Sequence, residues 1–242
     1  MKFLTITGVG PGDPSLLTLA AVDAIQESTL VAYPVSIKGG ESLAEKIASK
    51  WITQDKKKLP LHFPMVADQK TLKSAWRVAG NELMRMIEKG ERVVFLAQGD
   101  ISLFSTGSYL LKEFEKFHPE CVVKLIPGVT SFSAAAAQSQ LPLAFQEEQV
   151  LIIPVPATSE ELKVVLAEAA IMKRVVVLMK LGRKWTWVKP LLKELDLLQS
   201  SIFVERLGFL DEQILKASDL SSESRPYFSL LLIRQSWPLI MP

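Results

Sequence analysis

Three short segments hold residue types able to grip a polar ligand. Gly8, Gly10 and Gly12, with Asp13, follow the apolar run Phe3 to Thr7 and precede the helical spacing of Leu16, Leu19, Ala20 and Ile25. A helix start reached through glycines presents unpaired N–H groups and the positive end of the helix dipole, which suits an anionic or hydroxylated group. The dinucleotide fingerprint needs a third Gly where Asp13 stands, and a phosphate loop needs a Gly-Lys-Ser/Thr that is absent. Taken alone, the segment reads equally well as a tight turn capped by Asp13 or Ser15.

The second segment, Gln98-Gly99-Asp100, ends the apolar run RVVFLA at the strand edge where open α/β sheets bind ligands. Asp100 could accept from a ribose hydroxyl, balance a cationic ligand, or cap a helix starting near Thr106. The third, Ile126 to Ser131 (IPGVTS), is another strand-end loop that leads into a helix start.

The elements that position these loops alternate. Strands near residues 3–7, 30–34, 92–97 and 121–126 are separated by helical patterns, one opened by the capping pair Ser42 and Glu45 and reaching about Trp51. The clearest helix runs from about Asp68 to Lys89, with Leu72, Ala75, Trp76, Ala79, Leu83, Met86 and Ile87 on one face and Gly90 as its stop. Such βαβα order predicts a mostly parallel sheet. The pattern restarts near Val150, with Thr158 and Glu161 as a second capping pair. SIFVERL, the stretch around Gln213 to Lys216, and YFSLLLIRQ then pair without intervening helices. The expected fold class is α/β with two domains: residues 1–147 around a mostly parallel sheet, and 148–242 around a mixed one.

Composition narrows the function classes. Lys and Arg number 28 against 26 Asp and Glu, without charge runs, which disfavours a nucleic-acid binder. The single cysteine, Cys121, excludes an internal disulfide framework, and with only His62 and His118 beside it the residues for a metal cage are scarce, so no metal is expected. No apolar run approaches the roughly 20 residues of a membrane span, and MKFLTITGVGPGDP is broken too early for a secretory leader. The expected setting is cytoplasmic, with no membrane and no nucleic acid as partner.

In this order and spacing, GVGPGDPSLLTLAA, LAQGDISLFST and IPGVTSFSAAAAQSQLPL resemble the tetrapyrrole methylase family along essentially the whole chain. The resemblance implies two α/β domains with a cleft at their junction, a homodimer, and S-adenosylmethionine bound by loops of both halves. Carried over position by position, the cofactor contacts would be Pro11, Gln98, Gly99, Asp100, Leu103, Thr130, Ser131, Met179, Leu207, Ser229 and Leu230. Met179 reads equally as a core residue ending the strand VVVLM, and Leu207 and Ser229 rest on a looser match.

Within the family, VAYPVSIKGGESLAEKIA, LPLHFPMVAD and ISLFSTGSYL look like the branch that methylates carbon 20 of precorrin-2 or cobalt-factor II on the route to cobalamin. The branch acting on uroporphyrinogen III carries an Asp where this chain has Pro34. The alternatives are another methylase of the superfamily and a non-catalytic S-adenosylmethionine-binding module. Methyl transfer from a sulfonium needs alignment and exclusion of water more than a protein nucleophile. Tyr33, Asp100, Glu205 or a water could take the departing proton, and Tyr33 and Asp100 are the expected catalytic residues. Lys38, Lys180, Arg183 and Lys184, near strand ends, are the expected partners of a substrate rich in carboxylates.

Overall fold

The computed structural model describes residues 2–66 and 68–235. Ala67, part of the LPLHFPMVAD segment, lies outside them. The chain divides into two compact units, Met1–Thr130 and Ser131–Pro242.

The first unit is built on β1 (Lys2–Gly8), α1 (Leu19–Glu27), β2 (Leu30–Val35), α2 (Leu43–Ala48), β3 (Lys57–His62), α3 (Gln69–Glu88), β4 (Val93–Ala97), α4 (Thr106–Phe117) and β5 (Cys121–Ile126). Its five strands run parallel in the order β3-β2-β4-β1-β5. Helices connect the successive parallel strands, and the central strands β1, β2 and β4 read as apolar runs because both faces are covered. One face buries Leu4, Ile6, Phe95, Leu83, Leu110 and Phe114 in a single cluster with α3 and α4.

Caps set the helix starts. Thr18 Oγ1 accepts from Ala21 N at 3.1 Å and opens α1, while Asp13 Oδ1 accepts from Ser15 N at 2.7 Å and closes a separate 3-10 turn, Pro14–Leu16. The expected first helix therefore begins later than its apolar spacing suggested. Ser42 caps α2 as read, with a further 3-10 turn, Ser49–Trp51, carrying the helical pattern to Trp51. Asp68 caps α3.

The second unit comprises α5 (Ser131–Gln138), β6 (Gln149–Pro154), α6 (Ser159–Ile171), β7 (Arg174–Met179), α7 (Trp185–Glu194), β8 (Ser201–Glu205), β9 (Gln213–Lys216) and β10 (Ser229–Ile233). The order is β6-β7-β10-β8-β9. β6 and β7 are parallel, whereas β10 is antiparallel to both β7 and β8, and β9 to β8, which gives the expected mixed sheet. Leu162, Leu166, Trp185, Val188, Phe203 and Leu231 form its core.

The expected join near residue 147 differs from the observed division at 130/131. Arg234, just past β10, is fully buried. Its guanidinium donates to the carbonyls of Pro142 and Leu143 at 2.7 and 3.3 Å and pairs with Glu148. That clamp ties the stretch after α5 to the second unit.

Candidate functional site

In the first unit the carboxyl ends of β1, β4 and β5 lie side by side, with Gly8 paired to Ala97 and Thr7 to Ile126. The three loops that follow are pressed together through their backbones. Gly10 N donates to Gly99 O at 3.2 Å and Gly99 N to Gly10 O at 2.8 Å. A Cβ on Gly128 would stand 2.2 Å from Gly99 O, and one on Gly8 would stand 2.5 Å from the same oxygen. Only hydrogen fits at either position. Gly99 itself has φ +72°, the left-handed region that glycine enters without cost.

Asp100 pins this arrangement. Its Oδ2 accepts from Gly128 N at 2.9 Å, and its Oδ1 accepts from Ser102 N at 2.9 Å and from the Ser102 hydroxyl. Burial alone would push the carboxyl up, but the donors from Ser102, Gly128 and Ile101 outweigh it and hold it below its ordinary value. A carboxylate has about four acceptor sites, so little capacity is left for taking a proton. Helix α4 is capped instead by Ser105, whose Oγ accepts from Gly107 N at 3.1 Å. Gln98 Nε2 donates to Pro11 O at 3.3 Å, joining the first and second loops.

The expected residues of this unit thus fall at one sheet edge: Pro11, Gln98, Gly99 and Asp100 touch or adjoin, Leu103 is half-buried in the turn after Asp100, and half-buried Thr130 ends the third loop. Phe104, which sequence reasoning passed over, is 44% exposed in the same turn with φ +52°. Tyr33 lies on β2, one strand beyond β4, half-buried near Glu45 and Lys58. Burial first, then Glu45, push its phenol above the ordinary value, against a smaller pull from Lys58.

In the second unit Ser131 opens α5, and the remaining residues gather at the edge where β6, β7 and β8 end and β10 begins. Ser229 pairs with Glu205 across the sheet. Its Oγ accepts from Gly182 N at 3.0 Å and donates to Pro226 O at 2.8 Å, and Leu181 N donates to Ser229 O at 3.2 Å. Ser229, Leu230 and Leu207 are buried, and Met179 is half-buried at the end of β7.

The four basic residues stand in different local settings. Lys38 is exposed in the loop after β2, and Lys180 and Arg183 are exposed after β7. Lys184, expected to meet substrate carboxylates, instead donates to the carbonyls of Val155 and Pro156 at 2.7 and 2.9 Å. The loop after β6 leaves those carbonyls without ladder partners, and the ammonium supplies them. His62 ends β3, and among the described residues no three His, Cys, Asp or Glu side chains gather as a metal site.

A family model described as Tetrapyrrole (Corrin/Porphyrin) Methylases matches residues 4–220. The chain belongs to this family. It is 31% identical over 230 residues to the cobalt-precorrin-2 C(20)-methyltransferase of Salmonella typhimurium, covering 94% of each chain. Its fold is that of the crystal structure of the methyltransferase CobJ, with TM-score 0.69 at 19% identity over 98% of this chain and 95% of the other. It is also that of the uroporphyrin-III C-methyltransferase of Thermus thermophilus complexed with S-adenosylhomocysteine, with TM-score 0.63 at 20% identity over 96% and 97%. Among the described residues of this tetrapyrrole methylase, no helix is long and apolar enough to cross a membrane.

Proposed function

We propose that the chain transfers the methyl group of S-adenosylmethionine to carbon 20 of precorrin-2, or of its cobalt-loaded counterpart, during construction of the corrin ring of cobalamin. The observation that carries this reading is the relative named cobalt-precorrin-2 C(20)-methyltransferase, which aligns with nearly the whole of both chains.

The first-unit loops fit a bound cosubstrate. Gly8, Gly99 and Gly128 keep side chains away from a backbone surface rich in N–H groups, and Asp100 fixes the third loop against the second. In this reading the residues carried over from the family as cosubstrate contacts are Pro11, Gln98, Gly99, Asp100, Leu103, Thr130, Ser131, Met179, Leu207, Ser229 and Leu230. The cosubstrate supplies an electrophilic methyl on a sulfonium, already joined to a good leaving group.

The protein's own residues then align and shield. Asp100 acts as a positioning residue, since its oxygens are taken up by Gly128 and Ser102. Tyr33, half-buried on β2, is proposed as a catalytic residue at the departing proton. The exposed Lys180 and Arg183 suit the substrate's carboxylates at the outer surface, where Arg offers a planar fork. The one cysteine, Cys121, is buried and free, which suits a reducing cytoplasm. The family resemblance adds a homodimer, checked by sedimentation. The functional test is anaerobic incubation with S-adenosylmethionine and each substrate, reading product mass and the position of the new methyl.

A further inference from the structure

The turn between β4 and α4 holds an aromatic side chain in a conformation that its backbone resists. Phe104 has φ +52° and is 44% exposed. The left-handed region costs free energy for any residue with a Cβ, and a bulky one there is an outlier, so glycine or asparagine is the ordinary occupant of such a turn. A ring that faces water recovers little of that cost through apolar burial.

The turn is braced on both sides all the same. Asp100 Oδ1 accepts from Ser102 N at 2.9 Å, the Ser108 hydroxyl donates to Ile101 O at 2.6 Å, and Ser105 Oγ accepts from Gly107 N at 3.1 Å. Ile101 and Ser105 are buried, so the backbone on either side of Phe104 is fixed and its ring is held at the surface. A strained residue kept in place by its surroundings marks a site of use.

Its place along the sheet edge indicates the use. In the order β3-β2-β4-β1-β5 the loops after β4, β1 and β5 form the glycine cradle, and the loops after β3 and β2 lie on the other side of β4. Those two loops expose Met65 (67%) and Ile37 (71%), with Lys38 next to Ile37. At the opposite edge the loops entering β3 and β4, residues 53–56 and 89–92, expose no large apolar side chain among the described residues. Apolar side chains gathered at one edge and rimmed by charge form a binding surface rather than a random scatter. The loop after β4 serves both halves: Gly99 and Asp100 are bonded into the cradle, and Phe104 follows four residues after Asp100.

Resting on the methyl-transfer reading, we propose that Phe104 binds the acceptor, its ring lying against the flat conjugated face of the tetrapyrrole beside the cradle for the methyl donor. Offset-stacked rings attract one another beyond the area they bury. The acceptor's carboxylates then project past the apolar surface, towards Lys38 at its rim.

The test compares the wild type with Phe104→Gly and Phe104→Tyr. Three quantities are read: the melting temperature by circular dichroism, the affinity for S-adenosylhomocysteine by calorimetry, and the KM for precorrin-2 and for its cobalt counterpart in anaerobic methylation. Phe104→Gly sheds the left-handed cost, so it should melt no lower than the wild type and bind S-adenosylhomocysteine within about twofold, while its KM for the tetrapyrrole rises about tenfold. Phe104→Tyr keeps a flat ring and should bring that KM back to within about threefold of the wild type. An unchanged KM in Phe104→Gly overturns the inference. So does a lower melting temperature, which would make the ring part of the fold, or a loss of S-adenosylhomocysteine affinity as large as the rise in KM, which would place the ring against the cosubstrate. A wild type that binds S-adenosylhomocysteine yet methylates neither tetrapyrrole overturns the methyl-transfer reading itself and takes this inference with it.

Discussion

Substituting Gly128 by Ala tests the three-loop cradle most sharply. The new Cβ would lie 2.2 Å from Gly99 O and 2.9 Å from Gly8 C, both backbone atoms with no side-chain torsion to swing aside. An ordinary carbon–oxygen contact begins near 3.3 Å, so the loops after β1, β4 and β5 must part by about 1 Å. Overpacking of this kind costs about 1–3 kcal/mol. The bond from Gly128 N to Asp100 Oδ2, at 2.9 Å, is strained by the same movement and is worth about 1.5–3 kcal/mol as a bond to a charged group. Denaturant unfolding should therefore place Gly128→Ala about 2–4 kcal/mol below the wild type, from overpacking and partial loss of that bond, and titration should find S-adenosylhomocysteine bound at least about tenfold more weakly. Gly99→Ala is the comparison, since nothing lies within 4 Å of its added Cβ and the cost is confined to φ +72°, about 1–2 kcal/mol. Wild-type stability and affinity in Gly128→Ala would refute the close-approach argument.

Three further outcomes follow from the same geometry. Asp100→Asn should weaken cosubstrate binding and flatten the acid limb of stability: a carboxyl depressed in the folded state contributes stability above its unfolded pKa of about 3.9, lost as pH falls through the folded value, and the amide has no such dependence. Urea unfolding between pH 3 and 7 reads the difference. Lys184→Met should lower stability by about 1–2 kcal/mol through the carbonyls of Val155 and Pro156 yet leave the KM for the tetrapyrrole within about twofold; a large rise in KM would return Lys184 to the substrate site. Arg234→Met should cost about 2–4 kcal/mol by removing the guanidinium from the Pro142 and Leu143 carbonyls and from the half-buried Glu148, measured by thermal melts.

The parts of this fold legible in the sequence are those fixed by local chemistry. Ser42 and Thr158 announce their helices because a cap needs only a short side chain and an N–H two or three residues away. Gly99 and Asp100 announce a ligand edge because they follow a strand of five buried residues. Strand β3 was illegible. Its sequence KKLPLH carries Pro60 and exposed lysines, which an edge position tolerates and a pattern search rejects. Arg234 reaches back across some 90 residues to Pro142 and Leu143, a pairing no periodicity encodes. The reason for Gly8 and Gly128 was likewise hidden: both read as turn glycines, and their close approach emerges only when β1, β4 and β5 are laid side by side.

The most direct measurement of the central claim uses the purified protein, S-adenosylmethionine labelled with carbon-13 at its methyl, and precorrin-2 or its cobalt complex, kept anaerobic, with the product examined by mass spectrometry and NMR. The account predicts one added methyl, its label on carbon 20, with the better substrate telling whether cobalt is present on arrival. A methyl on any other carbon, or none from a folded protein that binds S-adenosylhomocysteine, would contradict it.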